Sequence, residues 1–113
     1  MGEGVIMIIN LTPHTITICN ASGEIVRQIP ASGNLARVSA RTVSTGEVFD
    51  GIPVTTTSYG EVEGLPAPQQ DTIYIVSALV AGRVPDRGDV FIPNESVRDS
   101  EGRIIGCKSL GRI

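Results

Sequence analysis

Short runs of Val, Ile and Thr, each cut off by glycine, asparagine or proline, limit what this chain can become. In "TITIC" the side chains of Thr15, Thr17 and Cys19 fall on one side and those of Ile16 and Ile18 on the other, the two-residue period of a half-buried strand. "VIMIIN" and "HTITICN" are separated by "LTP", and "NASGE" then turns the chain into "EIVRQI", a hairpin pattern. "LARVSA", "RTVSTGEVF" and "GIPVTTTSY" predict further short strands. After the loop "GLPAPQQD", with prolines at 66 and 68, the continuous apolar run "TIYIVS" predicts a strand central in a sheet.

Helix has little room in such a chain. "SALVAGR" is the best candidate, with Ser77 as cap, one turn from "ALVA" and Gly82 just past its end. The remainder, "RGDVFIPNESVRDSEGRIIGCKSL", reads as strand, turn, short strand, a "DSEG" turn and a last strand. The expectation is a mainly β fold, α+β with little helix: a small antiparallel β-sheet domain with one or two short helical turns in the C-terminal half. Three segments share a grammar, "GEIVRQIP" at 23–30, "GEVFDGIP" at 46–53 and "GEVEGLP" at 60–66, in which a glycine opens a brief strand and a proline closes it. Their unequal spacing argues against a repeat architecture.

With 113 residues the expectation is one domain, 1–113. Hydrophobic residues make up 41% of it but aromatics only 4%, so the core must be aliphatic. Residues 1–6 are glycine-rich and acidic, and "MIINLTPH" from Met7 is a complete strand opening, so 1–6 reads as a flexible or dispensable extension. "GVIMII" lacks a basic lead-in and is too short to span a bilayer, which predicts a soluble cytoplasmic protein with no membrane partner. A net charge of −3 without a run of either sign argues against DNA. Cys19 and Cys107 are expected as reduced, small apolar residues within strands.

His14 is the single histidine, and no spacing brings it a nucleophile and an orienting carboxylate, so it reads as a turn residue whose ring bonds to backbone. Asn10 is expected to bond locally to backbone amides there, with Pro13 ending the first pairing. One histidine and two remote cysteines match no zinc spacing, and neither the lysine-containing phosphate loop nor the dinucleotide glycine fingerprint is present; no metal and no cofactor are expected. "RGD" at 87–89 and the triplets "NLT", "NAS" and "NES" need a secretory route that this reading denies them.

The C-terminal half gathers Arg87, Asn94, Arg98, Arg103 and Lys108 beside small apolar residues. Phosphate, ribose and base edges together ask for cationic donors, an amide side chain and a flat apolar platform. Arg98, next to Asp99, is the first choice for a phosphate contact, with Arg87, Arg103 and Lys108 as further donors. Asn94 would read a base or ribose, Tyr59, Tyr74, Phe49 or Phe91 would serve as platform, and the stretch from Ser77 to Ala81 would add backbone donors. Charged residues on a solvated strand face need no ligand at all, and that reading stays open beside this one.

"MIINLTPH", then "GIPV" and "YGEVEGLP", "TIYIVSALVA" and a closing "VRDSEGRIIGCKSL" resemble small proteins encoded by phages and prophages. Among those, the chain is similar to the phage Thoeris anti-defence sponge of the first-described type, over most of its length and in order and β-rich character. That resemblance implies a protein that binds cyclic ADP-ribose isomers made by bacterial immune TIR-domain enzymes without cleaving them, and in some members cyclic oligonucleotides. It also implies a homo-oligomer with ligand sites where protomers meet, in the cytoplasm of an infected or lysogenic bacterium. A sponge holds its ligand tightly and needs no transition-state preference, so no catalytic residue is expected. Two alternatives stay open: a small phage structural or host protein-interaction module binding through a sheet edge, and an enzyme degrading the same nucleotides.

Overall fold

In the computed structural model residues 6–113 are described. The expectation of a dispensable extension over 1–6 lies, except for the exposed Ile6, outside the described residues. The chain is mainly β, with one short helix. Six strands form one sheet in the order β1 (Met7–Asn10), β6 (Thr72–Ile75), β7 (Val90–Arg98), β8 (Ile104–Gly111), β2 (Ile16–Cys19), β3 (Ile25–Ile29). A separate ribbon pairs β4 (Arg37–Phe49) with β5 (Ile52–Glu63).

The antiparallel hairpins expected around "NASGE" and "DSEG" are β2–β3 and β7–β8. The sheet is nevertheless mixed, because β1–β6, β6–β7 and β8–β2 run parallel. A continuous apolar strand asks for cover on both sides. β6 has it: Tyr74, Ile75 and Val76 at its end are fully buried, with β1 on one edge and β7 on the other. The return from β6 to the parallel β7 runs through residues 76–89 and carries α1 (Ala78–Gly82), the crossover that a parallel pair needs. Ser77 caps the helix by accepting the Val80 N–H at 3.3 Å, and Val80 and Ala81 join Leu11, Ala36, Tyr74, Val76 and Val90 in the core.

β7 serves two half-sheets. Its first residues, Val90 and Phe91, pair with β6, and Ile92–Arg98 pair with β8. A strand that changes partners in this way makes the corner of a rolled sheet. The other corner is closed by Asn10. In a flat sheet the edge strands β1 and β3 would lie five strand spacings, roughly 24 Å, apart. Yet the Asn10 side chain, at the end of β1, donates from Nδ2 to the Ile29 carbonyl, at the end of β3, at 3.0 Å. The sheet therefore rolls until its two edges touch at that point. Asn10 also donates to the His14 carbonyl at 2.7 Å, and its Oδ1 accepts both the Thr12 N–H at 3.0 Å and the Thr12 hydroxyl at 2.7 Å. The turn is braced by Asn10 and by the main-chain carbonyl of His14, whose ring is exposed; this corrects the expectation that the ring makes the bond.

The runs expected as short strands between residues 35 and 63 are two long ones. "DG" at 50–51 forms a two-residue loop with both residues at positive φ, 52° and 79°, the conformation that a tight hairpin turn demands. Pro53 does not close its strand; it sits inside β5 opposite Val48. A two-stranded ribbon leaves every second backbone nitrogen facing outward, so a proline there costs no ladder bond. The arm projects: the chain measures 61 × 39 × 23 Å with a radius of gyration of 17.6 Å, against about 13 Å for a compact domain of this length. Only the arm's base, at Val38 and Val62, packs against the core.

Replacing Asn10 by Ala should take the side-chain partner from the Ile29 carbonyl and the Thr12 amide, while the His14 carbonyl keeps the Thr12 hydroxyl, costing about 3 kcal/mol, since each buried group left unpaired costs about 1–3 kcal/mol. His14→Ala should change stability by less than about 0.5 kcal/mol. Urea unfolding of both variants checks the pair of values; equal costs would mean that Asn10 is no clasp.

Candidate ligand-binding site

The seven residues expected to bind ligand divide into separate groups along β7 and β8. Arg98 and Arg103 lie at the far end of that hairpin. Arg98 Nη1 donates to the Gly102 carbonyl at 2.6 Å, and Arg103 pairs with Asp99 at 3.3 Å and with Glu101. Asp99 Oδ1 in turn accepts the amides of Glu101 and Arg103, so these charges are tied into the "DSEG" turn. Lys108 stands exposed in the middle of β8, and Asn94 is exposed on β7 opposite Ser109. Ser77 is engaged as the helix cap.

Arg87 and Phe91 lie at the opposite end. Val90 and Arg98 are eight residues apart in one strand, about 26 Å at the usual rise, so within a single chain Arg98 and Arg87 cannot grip one small molecule. Arg87 is held as a fork: Nε donates to Asp89 Oδ1 at 2.8 Å, Nη2 to Asp89 Oδ2 at 2.9 Å, and Nη2 also to the Pro66 carbonyl at 2.9 Å. Both side chains are mostly buried, at 22% and 18% exposure. The hydrogen bonds from Arg87 hold the Asp89 carboxyl below the ordinary carboxylate range, and the same bonds raise the Arg87 guanidinium further above its own. Among the described residues Nη1 of Arg87 meets no acceptor, so two guanidinium hydrogens remain available to an anion.

Sequence reasoning missed Arg112. Its guanidinium lies 4.6 Å from the centre of the Phe91 ring, within cation–π range, and its Nε and Nη2 donate to the Gly88 carbonyl at 3.1 and 3.0 Å. Arg87, Gly88, Val90 and Arg112, together with the carboxylate side chain of Asp86, line a recess of about 110 Å³, and Phe91 lies outside that lining. That volume suits a phosphate-sized group, not a whole nucleotide. Two guanidinium groups beside an aromatic face nonetheless offer what an anionic, partly flat ligand asks for.

A second cavity lies beside the β2–β8 ladder, whose register pair is Ile18 and Cys107. Nearby the two strands approach closely: a Cβ on Gly106 would lie 2.9 Å from the Thr17 carbonyl and 3.0 Å from Cys19 Sγ. The cleft measures about 290 Å³ and is walled by His14, Ile16, Pro93, Ile104 and Ile105. None of the seven expected residues lines it. Cys107 lies at its floor, a buried thiol whose pKa is pushed up by burial and which therefore stays protonated at neutral pH. Both cysteines are unbonded and buried, as expected from the sequence.

No helix among the described residues is long and apolar enough to cross a membrane. No family model, curated protein or solved structure matches the chain.

Asp89→Asn should cost about 1–2 kcal/mol, because it removes the charge from a largely buried pair of charge-assisted hydrogen bonds. The folded carboxyl is depressed, so its stabilisation is fully present above the unfolded value of about 4 and is lost as pH falls through the folded value. Denaturation curves of parent and variant should therefore differ at pH 7 and converge as the solution is acidified below pH 4. A gap that stays constant with pH would rule out the charge of Asp89 as its cause.

Proposed function

We propose that this chain sequesters a small cyclic nucleotide, a cyclic ADP-ribose isomer or a cyclic oligonucleotide, without cleaving it, as the phage anti-defence sponges that its sequence resembles do. The observation that carries the proposal is the Arg112 guanidinium stacked on Phe91 beside the open Nη1 edge of Arg87. The guanidinium groups would take the phosphate oxygens, and the apolar surface next to them would take a base or ribose face. Holding a ligand this way needs slow release and a fixed arrangement of donors; Asp89 and the Pro66 carbonyl fix Arg87, and the Gly88 carbonyl fixes Arg112. The resemblance extends the proposal to a homo-oligomer whose ligand sites form where protomers meet, acting in the bacterial cytoplasm where such messengers are made. Arg98 and Arg103, at the far end of the β7–β8 hairpin, then serve from a neighbouring protomer, since one chain cannot bring them to the Arg87 corner.

A second reading, a module that binds another protein, is favoured by a different observation, the apolar end of the β4–β5 arm.

Calorimetry of the purified protein against cyclic ADP-ribose isomers and cyclic di- and trinucleotides tests the first reading. Saturable binding of one of them is expected, with the ligand recovered chemically unchanged by chromatography after heat denaturation. Arg112→Ala should weaken that binding at least tenfold, about 1.4 kcal/mol. Recovery of a product would replace sequestration by an enzyme, and silence toward the whole panel would leave the protein-binding module.

A further inference from the structure

Asp86 lines the same recess as Arg87 and Arg112, yet among the described residues its carboxylate accepts no hydrogen bond and enters no ion pair. Val84, Pro85, Asp86 and Arg87 form a turn closed by the Arg87 N–H on the Val84 carbonyl at 3.0 Å, with Pro85 where its fixed φ suits the first corner residue. Asp86 takes the second corner, exposed and directly before Arg87. Aspartate and asparagine in turns often accept the amide two residues on, as Asn10, Asn20 and Asp99 do in this chain. Asp86 leaves its oxygens free of that bond.

A carboxylate so placed makes the corner a poor site for anions in general. The two guanidinium charges of Arg87 and Arg112 meet the two carboxylate charges of Asp86 and Asp89, so a bare phosphate finds little net attraction there. The corner offers instead two unlike groups side by side. Nη1 of Arg87 donates, and an ionised carboxylate only accepts. A ligand that satisfies both carries an anionic oxygen with a hydroxyl or amino hydrogen next to it. The size of the recess sets their order. At about 110 Å³ it admits a phosphate alone, so the group attached to that phosphate stays at the mouth, where Asp86 is exposed. In a ribonucleotide that group is the ribose, and its free hydroxyls suit the two oxygens of a carboxylate, the pairing by which acidic side chains hold ribose in dinucleotide-binding folds.

We infer, on the reading of this corner as a phosphate site, that Asp86 receives the ribose hydroxyls of the ligand whose phosphate the Arg87–Arg112 recess holds. Asp86 is then the residue that sets specificity. It turns a cationic corner away from inorganic phosphate and from deoxyribose, and towards the ribose phosphate unit that cyclic ADP-ribose isomers and cyclic ribonucleotides have in common.

Titration of the isotope-labelled full chain with adenosine 5′-monophosphate, with its 2′,3′-dideoxy counterpart and with inorganic phosphate, followed by amide NMR shifts, tests this. The ribonucleotide should move the amides of Arg87, Gly88 and Arg112 and bind at least tenfold more tightly than the dideoxy nucleotide, since a site built around a hydroxyl rejects the analogue that lacks it. Asp86→Ala removes a side chain without hydrogen-bond partners in the fold, so it should keep the parent's circular dichroism, bring the two nucleotides within about twofold of each other and bind inorganic phosphate more tightly than the parent. Equal affinities in the parent, a preference that survives in Asp86→Ala, or amides at the corner that respond to neither nucleotide would each overturn the assignment. The parent comparison needs no variant. A cyclic nucleotide held by a protein that treats ribose and dideoxyribose alike would leave sequestration standing and remove Asp86 from it; a ribose preference at this corner without any cyclic ligand would do the reverse.

Discussion

The side chain of Asn10 joins the two edges of the sheet, and the position of everything around the first turn follows from that. It is 1% exposed and makes four hydrogen bonds, two given and two accepted, so a polar amide sits inside the fold with its main capacity used. Its own carbonyl accepts the Ser32 amide, and the next carbonyl, of Leu11, accepts the Ala36 amide. The chain leading into β4 is thereby held against the end of β1, and the arm leaves the body at a fixed place. A hydrophobic side chain at residue 10 would fill the same space and take their side-chain partner from the Ile29 carbonyl and the Thr12 amide.

The core bounded by this clasp is small and one-sided. Tyr74, Val76, Leu11 and Val90 gather beneath Val80 and Ala81 of α1, the one helix among the described residues that covers the six-stranded sheet. Around β2, β8 and β3 the buried residues are instead Cys19, Cys107 and Ile29, with Ile25, Val26, Ile104 and Ile105 left in water. The unequal cover explains why the cleft and the cationic corner occupy different ends of the molecule: the corner lies by the helix, where loops return to the packed core, and the cleft lies where no second layer exists.

Much of the fold was legible in local pattern. "TIYIVS" reads as a buried inner strand because the four successive apolar side chains from Ile73 to Val76 leave no water-facing side, and "SALVAGR" contains its own cap and stop. Pairing was less legible. β1 pairs with β6, and short-range periodicity says nothing about a partner so distant. The long arm was hidden because Gly46 and Pro53 resemble strand ends, although the first takes positive φ near a register shift and the second lies inside β5. Arg112 was hidden by one residue. Regular pairing back from the "DSEG" turn would set Phe91 opposite Gly111; the shift between Val97 and Arg98 sets it opposite Arg112 instead, and a slip of one position exchanges the faces.

The β1–β6 ladder also governs how the chain can be made. Met7 pairs with Thr72, so β1 leaves the ribosome well before its partner strand is synthesised. The β4–β5 hairpin, whose strands are joined by two residues, can zip within microseconds of emerging. Loop closure over so long a separation comes late and carries the larger entropic penalty. Until then Ile8 and Ile9 have no sheet to join, and their side chains face water through that interval.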